Sequence, residues 1–387
     1  MDTVKQLLRN NIRQYGMIIA LVAITILFQI LSNGILLKPL NVTNLIQQNS
    51  YILILAIGMV LVIITGHIDL SVGSVAAFVG SVSAIMMVNH HMPFYLAIIL
   101  SLVIGALVGA WQGFWIAYVR IPAFIVTLAG MLLFRGLTMI VLDGKSIAPF
   151  PKAFQKVSSG FLPDIGGDSS INVLTIIIGV ILTLIMIVQE WRARRIQQKY
   201  GLGLLPIPLT VAKLVAYAAV INLFTYVLAK YRGIPVILII LFALVVVYSF
   251  VMRKSIIGRH TYAIGGNEKA ALFSGVKTKR VTFWVFVNMG ALAALSGLIY
   301  AARLNAATPK AGVNFELDAI AACFIGGASA AGGIGTVMGA IIGGLVMGVM
   351  NNGMSLIGLG IDWQQGIKGL VLLLAVGFDI YNKNKTA

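Results

Sequence analysis

RKSIIGRHTYAIGGNEKAALFSGVKTKR, residues 253–280, is the most water-loving long stretch in a chain that is otherwise lipid-like. Seven of its residues are Lys or Arg: Arg253, Lys254, Arg259, Lys269, Lys277, Lys279 and Arg280. Apolar runs at 236–251 and 281–301 flank it. A short basic loop between two such runs is retained on the cytoplasmic side of a membrane. Inside the loop, Gly265-Gly266 predicts a turn and Asn267 a helix cap. Residues 268–272 then form a short helix that Ser274-Gly275 ends. A short helix between two membrane spans is either a solvated connector or a handle for another protein, and the loop by itself leaves both open.

Composition points the same way. Hydrophobic residues make up 59% of the 387-residue chain and charged residues 10%, against about 25% charged in a soluble domain. Long apolar runs, not alternating segments of roughly ten residues, separate this chain from a membrane β-barrel. The 41 glycines suit closely packed membrane helices. The expected fold is therefore all-α, a polytopic helical membrane protein forming one domain over 1–387. The net charge of +17 lies in loops between spans, so it reads as orientation and not as a nucleic-acid surface. Cys323 is the single cysteine, which leaves no intrachain disulfide and no cysteine metal cluster.

Reading outward in both directions gives about twelve passages. Apolar runs fall at 16–31, 52–65, 71–88, 94–118, 123–142, 171–188, 211–228, 236–251, 281–301, 336–350 and 365–378. The piece at 316–326 is too short for a full span and is expected to be short or re-entrant. The polar stretch 36–48 and the Pro-rich stretch 143–170 are expected outside. Eighteen of the 28 Lys and Arg fall in segments assigned inside and seven in segments assigned outside. That bias places both termini in the cytoplasm.

Three other stretches carry a resemblance together with GRHTYAIGGNEKAALFSGV at 258–276: GHIDLSVGS at 66–74, FELDAIAACFIGGASAAGGIG at 315–335 and NNGMSLIG at 351–358. In combination they resemble the permease subunits of sugar ATP-binding-cassette importers of the ribose and xylose type. An additional span pair over 190–230 is more similar to the xylose or multiple-monosaccharide type. The resemblance implies a bacterial plasma-membrane permease that dimerises and moves a monosaccharide by alternating access. It implies a cytoplasmic ATP-binding-cassette protein that carries ATP-Mg, an extracytoplasmic sugar-binding protein, and no cofactor in this chain. It also implies that the ATPase-coupling residues are Gly258, Arg259, Tyr262, Ala263, Gly265, Gly266, Asn267, Ala270, Ala271, Ser274 and Gly275.

Candidate chemistry is sparse. No phosphate-binding G-x-x-x-x-G-K-[ST] occurs, nor H-E-x-x-H or G-x-S-x-G. His67, His90, His91 and His260 show no metal-ligand spacing, so no catalytic or metal site is expected. Ionisable groups near the bilayer usually face a cavity or a partner. Asp69 and Ser71 sit just before a small-residue helix. They read either as a helix cap or as the break of a discontinuous helix beside the pathway. Arg135 falls in the outer half of its span, with Glu316 and Asp318 expected as partners. Trp111, Trp115, Phe124 and Phe134 are aromatics that could stack on a sugar ring, Trp111 and Phe124 being the pathway candidates, with plain packing as the other reading. Asp69-Leu-Ser-Val-Gly and Asp318-Ala-Ile-Ala-Ala echo each other, which is either internal duplication or repeated use of small residues. An ion-coupled secondary transporter, the rival function, needs titratable groups near the midplane, and Asp69 is the candidate in the first half.

Overall fold

The computed structural model describes residues 12–166, 171–201 and 206–386. It is helical throughout, apart from two isolated bridges, Ile147 to Ala307 and Phe161 to Pro235. Among the described residues, nine helices are long and apolar enough to cross a membrane. The chain is a multi-pass membrane protein. The remaining three of the twelve expected passages are α1 (Ile12–Leu31), α13 (Phe315–Ile325) and α15 (Ile361–Thr386).

The bundle is built around α2 (Pro39–Ile64), whose most apolar window is 83% buried. Residues 52–64 are apolar on every side apart from Gly58, the pattern of a helix enclosed by others. Packed on it are α12 (Thr278–Leu304), α13, α14 (Val337–Leu356) and α9 (Val236–Lys254). Next to α12 lie α3 (Val72–Ala84, carried on by a π-turn through Asn89) and α4 (Phe94–Ala117). Along α4, Gly105 and Gly109 meet Gly290 and Phe286 of α12 so closely that a Cβ on either glycine would collide with backbone. Small residues let membrane helices approach this far. The α5 helix (Ala123–Val141) covers α3.

The polar stretch 36–48 is placed differently from the expectation. Pro39 opens α2 at its first turn, a position proline favours. Asn41, Gln47 and Asn49 are then buried in the helix and not held in an external loop. Their cover is α14. Asn41 Nδ2 donates to Asn352 Oδ1 at 2.8 Å, and Asn352 Nδ2 donates back to Asn41 Oδ1 at 3.2 Å. A reciprocal amide pair satisfies groups that would otherwise make burial costly.

The pair α7 (Val173–Lys199) and α8 (Ile207–Ala229) forms a hairpin at the edge, with only 11% of each apolar window buried. Between 143 and 172, α6 (Lys152–Ser159) closes one end of the bundle, with Phe150 and Phe154 buried beside Leu298 and Ala302 of α12.

Two breaks position the functional region. Gly297, nineteen residues along α12, touches the backbone of Ala76. At 1.5 Å per residue, Val72 therefore lies roughly 22 Å along a 27-residue helix of about 40 Å. So α2 reaches the basic end of the bundle at Ile64, the chain climbs back to mid-depth over 65–71, and α3 starts there. From the other end, α12 finishes at Leu304, the chain descends over 305–314, and α13 starts where Gly312 meets Gly73. The eleven residues of α13 then return to the basic end, where Gly333 N donates to Ile64 O at 2.9 Å. The short piece is thus not re-entrant: together with the descent over 305–314 it completes a broken crossing from the far end to the basic end. The echo between Asp69 and Asp318 corresponds to two half-helices running in opposite directions from one meeting point.

Candidate functional site

The meeting point carries the polar groups. Asp69, Ser71 and Gln112 are all buried. Gln112 Nε2 of α4 donates to Ser71 Oγ at 2.8 Å, and Ser71 Oγ donates to Asp69 Oδ1 at 2.6 Å. Asp69 Oδ1 also accepts the Ser71 backbone N–H at 2.8 Å. The carboxylate thus fixes the turn that starts α3, and Gln112 ties that turn to the neighbouring helix. Gln112 was missed in the sequence reading. The available signal was a lone amide on the helix face that carries Gly105 and Gly109, where a buried polar group needs a partner.

Two helix N-termini, each a positive dipole end, converge between Gly73 and Gly312. Glu316, in the first turn of α13, is buried there, and its Oε2 would lie 2.4 Å from a Cβ on Gly73. That oxygen has no hydrogen-bond partner among the described residues. Its charge therefore faces the N-terminus of α3 as well as its own. Arg135 of α5 reaches the same point, with long contacts to Ser74 Oγ at 3.4 Å and to Gly312 O at 3.5 Å.

The expected ion pair of Arg135 with Glu316 or Asp318 is not what the structure holds. Asp318 pairs instead with Lys368 of α15, Oδ1 to Nζ 3.1 Å. Arg135 makes no ion pair among the described residues. Geometry explains the difference. Asp318 lies two residues past Glu316, about 100° per residue round the helix, and so faces α15 and not α5. Trp111 stands apart, half-exposed on the outer face of α4 and edge-on to Phe134. Phe124 lines a cleft of about 430 Å³ at the basic end, together with His67, Ile68, Arg120, Glu268 and Lys279.

Beside that cleft, 253–280 folds into an elbow. The turn expected at Gly265-Gly266 is absent, because both residues end a helix, α10 (Ile256–Gly266). The bend falls at Asn267. Asn267 does cap the next helix, α11 (Glu268–Phe273), its side chain accepting Ala270 N–H at 3.0 Å. Ser274 and Gly275 end α11 as expected, with Gly275 at φ +85°.

Gly265 has a different task from the one expected. A Cβ there would lie 1.7 Å from Ile64 O and 2.5 Å from Gly333 N. The elbow is therefore seated on the last carbonyl of α2 and on the loop that follows α13. Tyr262 adds a bond from its hydroxyl to Gly335 O at 2.7 Å, and burial pushes its phenol pKa up. Gly258 abuts the Met252 backbone at the end of α9.

Ala271 corrects a further expectation. It is only 5% exposed, packed on Ile264, Val276 and Val281 of its own chain, and so is not open to a docking partner. Arg259, Ala263, Gly266, Asn267, Ala270, Ser274 and Gly275 are exposed. The prominent outward group is one the sequence reading left out. Phe273 is 88% exposed, with half-exposed Leu272 beside it. A six-residue helix has too little periodicity to show which side is apolar.

The family described as "Branched-chain amino acid transport system / permease component" matches residues 41–376, a range that includes both half-helices and the elbow. The chain belongs to this permease family. The xylose transport system permease protein XylH of Haemophilus influenzae is 40% identical over 375 residues, covering 97% of this permease and 98% of that protein. XylH of Escherichia coli K12 is also 40% identical, over 97% of this permease and 94% of its own length. The ribose import permease protein RbsC of Bacillus subtilis is 37% identical over 95% of this permease and 92% of its own chain. No solved structure matches.

Proposed function

We propose that this permease is the membrane subunit of an ATP-driven importer of a monosaccharide, xylose or a closely related aldose. In this reading the basic end is cytoplasmic and both termini lie there. A separate ATP-binding-cassette protein, carrying ATP-Mg, docks on the elbow. An extracytoplasmic binding protein delivers sugar to the opposite end, and two copies of the permease enclose the path in a bacterial plasma membrane. The observation that carries the reading is the full-length likeness to the xylose permeases, and the elbow supports it. A push on α11 reaches, through Gly265, the end of α2 and the loop after α13. Both lead directly to the half-helices at mid-depth, so closure of an ATPase can rock them and alternate access.

The deciding measurement is xylose uptake into proteoliposomes holding the permease, its ATPase and its binding protein. Uptake should require ATP on the ATPase side and persist with a protonophore. Asp69 and Glu316 at mid-depth are what an ion-coupled carrier would use. Protonophore-sensitive uptake without ATP would establish that mechanism instead.

Docking on the elbow makes a second prediction. Exposed aromatics dominate interfaces, with about 2 kcal/mol or more lost on truncation, whereas exposed ion pairs contribute about 0–1 kcal/mol. Phe273→Asp should lower ATPase affinity by about tenfold or more while membrane insertion stays normal. Lys269→Ala should change it little. Unchanged ATPase retention by Phe273→Asp in a pull-down would remove the elbow from the interface.

Orientation makes a third. A cysteine at exposed Lys277 should resist an impermeant thiol reagent on intact cells, and one at exposed Lys156 should react. Ser158, on the same short helix as Lys156, is fully buried and would report nothing. Labelling at 277 from outside would invert the layout.

A further inference from the structure

The edge hairpin has two unlike faces. Toward α8, α7 presents Gly179, Thr183, Glu190 and Arg194. Each has a partner there: Thr225 against Gly179, Asn222 Nδ2 donating to Thr183 Oγ1 at 2.9 Å, Lys213 Nζ on Glu190 Oε1 at 2.9 Å, and Arg194 Nη1 on Thr210 Oγ1 at 2.7 Å. These contacts fix how α7 is rotated. The opposite stripe follows steps of three and four residues: Ile177, Ile181, Ile185, Val188, Arg192, Arg195, Lys199. All seven are exposed. The stripe is thus apolar for its first four members and cationic for its last three.

Length decides where the change falls. From Val173 to Glu190 the helix rises about 26 Å, close to the roughly 30 Å of a hydrocarbon core. Trp191 then falls at the interface, where amphipathic rings settle. The last eight residues add about 12 Å, enough to cross a headgroup layer of about 5–8 Å and reach the water beyond it. Three cations on a lipid-facing stripe, held rigid by the contacts behind them, fit the headgroups of acidic phospholipids.

We propose that Arg192, Arg195 and Lys199 form a binding site for anionic phospholipid headgroups on the leaflet at the basic end. The charge complementarity and the continuity with a lipid-facing apolar stripe select lipid as the occupant. The α7–α8 hairpin then works as an anchor, gripping the membrane while the rest of the bundle rocks.

The test uses the full-length permease in nanodiscs of zwitterionic phospholipid. In one set, a minor fraction is acyl-brominated phosphatidylglycerol. In the other, the same fraction is acyl-brominated phosphatidylcholine. Trp191 fluorescence, taken as the difference from Trp191→Phe, should be quenched several-fold more by the brominated phosphatidylglycerol. In Arg192→Gln/Arg195→Gln/Lys199→Gln, glutamine preserves helix propensity and the two lipids should quench equally. A second triple variant, Lys277→Gln/Lys279→Gln/Arg280→Gln, removes the same charge elsewhere and should keep the preference. Equal quenching in the parent protein, preference surviving the first triple variant, or equal loss in both variants would each overturn the site. So would disappearance of the preference when the ATPase is added, which would assign the stripe to a protein contact.

Discussion

Gly265→Val should reduce the proposed sugar uptake to background and lower the thermal midpoint of the purified permease, while insertion and span number stay unchanged. At this position a Cβ has no room. Ile64 O would be 1.7 Å away and Gly333 N 2.5 Å, and both are backbone atoms that side-chain rearrangement does not relieve. The elbow must lift from its seat, which separates α11 from α2 and from the loop after α13. Overpacking of this kind costs about 1–3 kcal/mol or more. Gly266→Ala is the control. Nothing lies within 4 Å of that Cβ, and alanine favours a helix over glycine by about 0.5–1 kcal/mol, so stability should hold or rise. Normal uptake by Gly265→Val would show that the seat transmits nothing.

The second large effect concerns Asp318 and Lys368, which join the half-helix α13 to α15. Removing one partner of a buried pair leaves an uncompensated charge, at about 3–5 kcal/mol. Lys368 is partly exposed, so the lower end applies. Asp318→Ala should cost about 3 kcal/mol and lower the detergent-solubilised thermal midpoint clearly. Lys368→Met should do the same. The double variant Asp318→Leu/Lys368→Met should recover most of the loss, because well-packed apolar replacements of a buried pair are often neutral. Single variants as stable as the parent chain would mean that α15 is held by the apolar cluster that Ile367, Val371 and Leu372 join.

The all-helical fold was legible in the sequence because lipid demands long apolar runs with internally satisfied backbone. That α13 cannot span alone was legible too, since its eleven residues include Glu316 and Asp318 and stop at Gly326, but its place in a broken crossing was not. What was not legible shares one cause, the dependence on a partner far away in the chain. Asn41 reads as loop until Asn352 is seen beside it. Gly265-Gly266 reads as a turn until the carbonyl of Ile64 gives the first glycine a reason to be small inside a helix. Arg135 had two carboxylates within plausible reach, and only the rotation of α13 toward α15 assigns Asp318 elsewhere. Ala271 and Phe273 lie on opposite sides of a helix too short for periodicity to rank them. Residue types placed Asp69 and Ser71 at a helix start but left a plain cap and a helix break both open. The hold of Gln112 on that break was not.

The two half-helices also govern how the protein is made. An eleven-residue segment is too short to be handed to the bilayer as a span of its own, and the break over 65–71 lies in the first fifth of the chain. While the ribosome is still completing α12, that break has Gln112 of α4 beside it but not α13. A chain truncated after Leu304 would carry every residue of the early break and its contacts with α4 and α5, but not the facing half-helix α13. It would be inserted but unfinished, a natural target for membrane quality-control proteases. Residues 315–325, in the last quarter of the chain, thus complete the meeting point that residues 65–73 begin.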